Sequence, residues 1–208
     1  MTFKRLSEYF SKLEETTLRN KMVEILAELF READAKEIGK LCYLLQGRVV
    51  PMYEPIEFGI ADKMMIRAIA QALGIETREA VAQFKKAGDL GTAAEKVKSQ
   101  KSKVKNTSQK LTITDVYDVL YKVATASGSG SQEIKVKLLA DLITTVDPLS
   151  AKYIVRMTLD KLRLGFSDMT ILDSLSFMIT GTKELRPTIE KAYNVRPDLG
   201  YISERVKE

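Results

Sequence analysis

Val23-Glu24-Ile25-Leu26-Ala27-Glu28-Leu29-Phe30, running on to Asp34, is set a second time in Val136-Lys137-Leu138-Leu139-Ala140-Asp141-Leu142-Ile143, running on to Asp147. The offset is constant and the apolar positions coincide. Apolar residues three and four apart mark one face of an α-helix. Each copy is followed by a second helical stripe, a glycine turn and a third helix. The turns correspond as well: Ile56-Glu57-Phe58-Gly59-Ile60-Ala61-Asp62 stands against Leu162-Arg163-Leu164-Gly165-Phe166-Ser167-Asp168. A duplicated helical unit predicts an all-α body of about twelve helices, in two pseudo-symmetric halves with two equivalent loop surfaces.

The rest of the chain fits that frame. Phe3, Leu6, Phe10 and Leu13 form a stripe ahead of the first copy, and Ile38, Leu41, Leu44 and Leu45 form one after it. Pro51 and Pro55 keep the stretch from Gln46 to Gly59 out of regular helix. Helices are expected near 61–73, closed by Gly74, near 76–86, and near 92–97 after the turn Gly88-Asp89-Leu90-Gly91. Thr112 with Asp115 opens the second copy with a capping-box pattern, and Ser129 with Gln132 fits another. Asp147-Pro148 reads as an N-cap with proline in the first helical position of a helix reaching about Leu162. Further helices are expected near 169–179, near 183–193 and after Pro197. Residues 1–208 thus read as one domain: a helical half over 1–97, a basic connector over 98–111, and a second half over 112–208. The connector carries Lys98, Lys101, Lys103, Lys105 and Lys110 with no acid among them.

Composition narrows the chemistry. Thirty-three basic residues against 28 acidic ones give a net charge of +5, which permits a polyanionic partner without requiring one. Histidine is absent, which removes the commonest general base and metal ligand. One cysteine, Cys42, allows neither an internal disulfide nor a Cys-based zinc site, and its apolar neighbours place it in a core. No apolar run approaches the ~18 residues of a membrane span. The N-terminus enters an amphipathic helix rather than a signal peptide, so a cytoplasmic protein is expected.

Two segments offer anion chemistry. Ser127-Gly128-Ser129-Gly130-Ser131 leads into a helix whose first backbone N–H groups lack intrahelical acceptors, with Lys135 and Lys137 within two turns. It lacks the Gly-Lys-Ser/Thr ending of a Walker loop. Lys161-Leu162-Arg163-Leu164-Gly165 places Arg163 beside a glycine turn whose counterpart is Gly59, and Thr16-Thr17 stands where Gly130 stands in the other copy. Four phosphate-sized features on two equivalent surfaces suit a partner that is itself two-fold and repetitive, as duplex DNA is. The alternative is a helical-repeat scaffold that binds protein, its basic charge incidental.

At these residues the chain resembles the N-terminal DNA-binding domain of archaeal and eukaryotic-type ATP-dependent DNA ligases. The landmarks are Pro51-Met52-Tyr53 leading to Glu57-Phe58-Gly59, Gly88-Asp89-Leu90-Gly91, Gly128-Ser129-Gly130-Ser131-Gln132, and Asp147-Pro148-Leu149-Ser150-Ala151-Lys152-Tyr153 leading to Lys161-Leu162-Arg163-Leu164-Gly165. The resemblance covers essentially the whole chain. It implies an all-helical domain that grips nicked duplex DNA through phosphate and minor-groove contacts and positions it for end joining. The implied DNA-binding residues are Thr16, Thr17, Gly59, Ser129, Gly130, Ser131, Lys135, Arg163 and Gly165. The family's Lys-x-Asp-Gly signature of nucleotidyl transfer is absent from the 208 residues. The adenylation and OB domains are therefore expected elsewhere: the piece is either cut from a parent ligase, the favoured reading, or a stand-alone version of the domain. The piece alone is expected to be inactive and to hold no cofactor, with ATP and Mg implied for the parent. Its partners would be nicked double-stranded DNA and the ligase catalytic core. Some archaeal relatives carry a sliding-clamp motif in the connector. Here Gln100-Lys101-Ser102 starts it, but Lys103-Val104 replaces the aromatic pair that would anchor it, so weak or no clamp binding is expected through this segment.

Overall fold

The computed structural model describes residues 1–102 and 110–208. Among these, twelve helices form the whole of the regular structure: α1 (Phe3–Glu14), α2 (Arg19–Glu32), α3 (Ile38–Leu45), α4 (Asp62–Leu73), α5 (Thr77–Ala87), α6 (Leu90–Ser102), α7 (Ile113–Thr125), α8 (Ser131–Thr145), α9 (Pro148–Thr158), α10 (Asp168–Thr180), α11 (Arg186–Val195) and α12 (Leu199–Lys207). The single β feature is an isolated bridge between Thr2 and Thr112. The fold is all-α, as the periodicity requires.

The stripes become the core. Phe3, Leu6, Phe10 and Leu13 of α1 are buried, as are Leu26, Leu29 and Phe30 of α2 and Leu41, Cys42 and Leu44 of α3. Each such side chain contributes roughly 1.5–3 kcal/mol on leaving water. Burial pushes the Cys42 thiol up to about 12, leaving it a packing group rather than a nucleophile.

The helices group into two compact units. The first comprises residues 5–55 and 163–208, with Met1; the second comprises residues 56–162, with 2–4. Each joins helices from the first half of the chain to helices from the second. In the first unit α2 packs on α10, α3 on α12, and α10 to α12 on one another. In the second, α8 packs on α4, α9 on α6, and α4 to α6 on one another.

Close packing is permitted by two glycines. A Cβ on Gly91 in α6 would stand 2.7 Å from the Lys152 carbonyl oxygen and 2.8 Å from Arg156 Cγ, both on α9. In the other unit a Cβ on Gly200 in α12 would collide with the Tyr43 ring of α3. Each glycine follows an aspartate that reaches the same neighbouring helix. Asp89 accepts from Arg156 Nε at 2.9 Å, and Asp198 accepts from the Tyr43 hydroxyl at 2.6 Å. Burial alone would raise the Asp89 carboxyl. The Thr92 N–H and hydroxyl together with Arg156 outweigh it and hold the group below its ordinary range.

Several local expectations hold and others need correction. Thr112 and Asp115 form a reciprocal capping box, and Asp147 accepts from the Leu149 and Ser150 N–H groups ahead of Pro148. Gly74 closes α4 in the left-handed conformation. Ser129 does not cap α8. Gly128 and Gly130 both take positive φ, Gly130 is the N-cap residue, and no side chain bonds there. Helix α9 ends at Thr158 rather than near Leu162, because Asp160 turns left-handed (φ 55) and the Lys161 N–H closes onto the Arg156 carbonyl. Helix α6 runs on through Ser102, so the start of the supposed connector is helical. Lys98 is buried and donates to the Thr144 carbonyl at 2.9 Å, while Lys101 donates to the Leu73 and Gly74 carbonyls. Both cations therefore serve carbonyls at the ends of other helices. Lys103, Val104 and Lys105 lie outside the described residues.

Candidate nucleic-acid interface

Each unit brings a glycine turn onto the N-terminal part of one helix. In the second unit, Gly59 takes φ +61 just ahead of α4. Lys135, in the second turn of α8, donates its Nζ to the Phe58 carbonyl at 2.7 Å. That Nζ lies 3.4 Å from where a Gly59 Cβ would stand. Ser129 and Gly130 are exposed at the mouth of the same helix. Ser131 begins it, its N–H donating to the Gly128 carbonyl at 3.2 Å. Gly59, Ser129, Gly130, Ser131 and Lys135 thus belong to one surface of one unit. An ammonium has three donors, so Lys135 keeps two beyond the Phe58 bond. Beside it, Arg67 of α4 pairs with Glu133 in the first turn of α8 at 2.7 Å.

In the first unit the corresponding turn is Gly165, at φ +80 ahead of α10. It does not cap α9, which has already ended. A Cβ on Gly165 would stand 3.2 Å from Met22 Cε, in the first turn of α2. The loop into that helix holds Thr16, whose Oγ1 accepts from the Leu18 N–H at 3.2 Å, and the exposed Thr17. Arg163 is exposed and makes no hydrogen bond or ion pair with any described residue. Thr16, Thr17, Arg163 and Gly165 are therefore members of the first unit. Lys161, from the same sequence segment, belongs to the second, where it pairs with Asp62 at 2.8 Å.

The described residues contain no group of three or more His, Cys, Asp or Glu placed to hold a metal ion. No helix among them is long and apolar enough to cross a membrane. A family model described as DNA ligase N terminus matches residues 2–176. The chain belongs to the DNA ligase N-terminus family.

Curated relatives agree with that membership. A probable DNA ligase of Dictyoglomus thermophilum is 47% identical over 203 residues, covering 98% of this chain and 34% of that protein. A DNA ligase of Nitrosopumilus maritimus is 38% identical over 204 residues, 98% of this chain and 35% of its own length. One of Sulfurisphaera tokodaii is 39% identical over 216 residues, 100% of this chain and 36% of its own. This DNA ligase N-terminus chain spans about a third of the length of those relatives.

One cluster escaped the sequence reading. Asp173, with a side chain only 5% exposed, lies within α10 and accepts from Arg19 Nη2 at 2.9 Å and Arg186 Nη1 at 3.0 Å. Lys183 Nζ stands 3.4 Å from the same carboxylate. An acid inside the apolar run Ile171-Leu172-Asp173-Ser174-Leu175 is the signal that would have revealed it, because a buried carboxylate needs a cationic partner. The partners themselves, on α2, at the start of α11 and just ahead of it, are not readable from the sequence.

Proposed function

We propose that this chain is the non-catalytic DNA-binding domain of a DNA ligase, gripping nicked duplex DNA through phosphate and minor-groove contacts. The observation that carries the reading is the pairing, in each unit, of a positive-φ glycine turn with the first turns of a helix: Gly165 against Met22, and Gly59 against Lys135. Backbone without a Cβ admits a phosphate oxygen close to N–H groups. Contacts of that kind go to phosphate and sugar and carry no base information, as an enzyme that joins any sequence requires. Arg163, exposed and unpaired among the described residues, is a cation free to meet a phosphate, and Lys135 offers another in its own unit.

The two units are proposed to be built alike. The register that sets Val23 on Val136 also sets Met22 on Lys135 and Tyr43 on Arg156. It carries α2 onto α8, while the register that sets Gly59 on Gly165 carries α4 onto α10, so the pairing of α2 with α10 answers to that of α8 with α4. The Lys-x-Asp-Gly signature does not occur in the chain, and no step of nucleotidyl transfer is assigned to its residues. Its role is to hold nicked DNA near a tethered catalytic core, raising the core's effective concentration there. That core would bring ATP and Mg. Nucleoid association follows from DNA binding, and no sliding-clamp contact is assigned to the connector.

Fluorescence anisotropy with nicked and intact duplex across a salt series tests the reading. The expected result is affinity falling by about 0.9 log units per log unit of salt for each phosphate neutralised, with Arg163→Ala weakening binding and flattening the slope. Absence of binding at ~50 mM salt, where non-specific contacts are already strong, would overturn it.

A further inference from the structure

Helices α3 and α9 end in the same way, and a cation leaves each end. After α3, Gly47 takes φ 69 and its N–H donates to the Leu44 carbonyl, while the Arg48 N–H donates to the Tyr43 carbonyl at 2.9 Å. After α9, Asp160 takes φ 55 and its N–H donates to the Met157 carbonyl, while the Lys161 N–H donates to the Arg156 carbonyl at 2.7 Å. Both are Schellman ends, which fix how the next residue leaves the helix. The two cations then fare differently. Lys161 pairs with Asp62, the first residue of α4, at 2.8 Å. The acid in the corresponding position of the first unit is Asp168, the first residue of α10. Both its oxygens are taken: Oδ1 accepts from Gln46 Nε2 at 3.0 Å and Oδ2 from the Tyr193 hydroxyl at 2.7 Å. Arg48 is left half-buried, its Nε buried without a hydrogen-bond partner, and its guanidinium bonds to no described residue. A guanidinium stays charged, so it cannot escape by losing a proton. A charge partly removed from water without a counter-charge is costly, and an anion supplied from outside relieves it.

We infer that Arg48 forms an oxyanion site of phosphate chemistry where the end of α3 meets the start of α10. The bond from Gln46 to Asp168 holds these two ends together. Nε is covered, so the two Nη groups meet the ligand, and their parallel N–H bonds fit two oxygens of one phosphate. Arg163, also without a bond to any described residue, lies on the loop that leads into α10, so the surroundings favour an anion of high charge density. Two sources share this chemistry. One is a backbone phosphate of duplex DNA, which rests on the DNA-binding reading above. The other is free inorganic phosphate, which does not. In the sequence Arg48 is one more loop residue; what sets it apart is that Gln46 and Tyr193 occupy the acid in the position that Lys161 uses.

The test compares the whole chain with Arg48→Met, which keeps the length of the stem, and with Lys36→Met. Lys36 is exposed in the same unit, its side chain bonds to no described residue, and it controls for loss of one charge. Thermal midpoints are read in sodium phosphate and in sodium chloride of equal ionic strength. Phosphate stabilises every protein by exclusion from its surface, so the readout is the difference between the three chains. Anisotropy with one duplex is read at about 50 and about 200 mM salt. In chloride, Arg48→Met should hold or raise the midpoint, because it removes a charge that lacks a partner. A fall there would show a partner within the fold and overturn the site. For a backbone phosphate, Arg48→Met should weaken duplex binding and cut the ratio of Kd at the higher salt to Kd at the lower by about 3.5-fold, the effect of one contact at a slope of about 0.9. Lys36→Met should leave that ratio unchanged. For free phosphate, Arg48→Met should keep the ratio but lose part of the midpoint rise in phosphate that the unmodified chain and Lys36→Met share. If Arg48→Met behaves like Lys36→Met in both measurements, the site is refuted while the DNA-binding reading stands. If the unmodified chain does not bind duplex at the lower salt, that reading itself fails, and the midpoints alone decide the site.

Discussion

Gly91→Ala sets two effects of opposite sign against each other. Alanine is the better helix former, and by propensity alone the change would stabilise α6 by roughly 0.5–1 kcal/mol. The new methyl, however, would sit 2.7 Å from the Lys152 carbonyl oxygen and 2.8 Å from Arg156 Cγ. A comfortable carbon-to-oxygen contact is roughly 3.3 Å or more, so α6 and α9 must part by about half an ångström or more. The carbonyl belongs to helix backbone and cannot rotate aside as a side chain tip would. Overpacking of this kind costs about 1–3 kcal/mol. The shift also strains the 2.9 Å bond from Arg156 to Asp89, which ties the two helices at the same point. The steric effect wins, and a net loss of about 1–2 kcal/mol is expected. For a chain of this size that lowers the thermal midpoint by about 2–8 °C. Thermal unfolding followed by circular dichroism, with urea titration as a second measure, reads it directly. A midpoint that rises, as propensity alone would have it, refutes the close approach of α6 and α9 at Gly91.

The remaining predictions follow from the same packing. Gly200→Ala should destabilise the first unit at least as much, because the methyl meets the Tyr43 ring, whose hydroxyl is held 2.6 Å from Asp198; Tyr43→Ala in the same chain should recover part of the steric loss. The Arg5 guanidinium, followed by weaker effects including the Tyr9 hydroxyl, holds the Glu32 carboxyl at about 2 against its ordinary 4.5. The stabilisation from Glu32 is therefore full above pH 4.5 and is lost as pH falls toward 2. Both partners are 39% exposed, so screening limits it to about 1 kcal/mol, and Glu32→Gln should flatten the urea midpoint over that pH window. Parallel curves for the two proteins would rule this out. Chains 1–102 and 110–208 made separately should each lack a cooperative melt and regain one on mixing, since α2 and α3 take their partners from the second segment; a sharp native-like transition in either alone would contradict the pairing.

What the sequence made legible is what local chemistry decides. The stripes of α1 and α2, the capping box of Thr112 and Asp115, and the Asp147-Pro148 helix start each depend on residues within one or two turns. Where geometry from elsewhere intervenes, the reading slips. Ser129 looked like a cap, but two positive-φ glycines carry the chain past it. Lys98 and Lys101 looked like linker charge, yet their acceptors are carbonyls of Thr144, Leu73 and Gly74, far away in sequence. The packing of α2 on α10 and of α8 on α4 is invisible to periodicity, which reports a buried face but not what covers it. Of the candidate site, the glycine turns and the loop residues were readable as a repeat. The Asp173 cluster was not, because one of its cations, Arg19, lies far in the chain from the other two, Lys183 and Arg186.

The duplicated glycines serve two purposes, and the distinction bears on the DNA-binding reading. At Gly91 and Gly200 the missing Cβ is filled space: a neighbouring helix occupies the place, and the demand is one of packing. At Gly59 and Gly165 the surroundings are looser, with a lysine Nζ at 3.4 Å and a methionine Cε at 3.2 Å, both ends of flexible side chains. What requires glycine there is the backbone, at φ +61 and +80, which costs an ordinary residue roughly 1–2 kcal/mol. A fold seeking only stability could turn those corners with ordinary residues in extended conformations. Both units instead keep a left-handed turn against the first turns of a helix, beside a threonine loop in one unit and a Ser-Gly loop in the other. A left-handed turn in each unit, backed only by the ends of flexible side chains, fits the proposed role as a surface for a phosphate backbone.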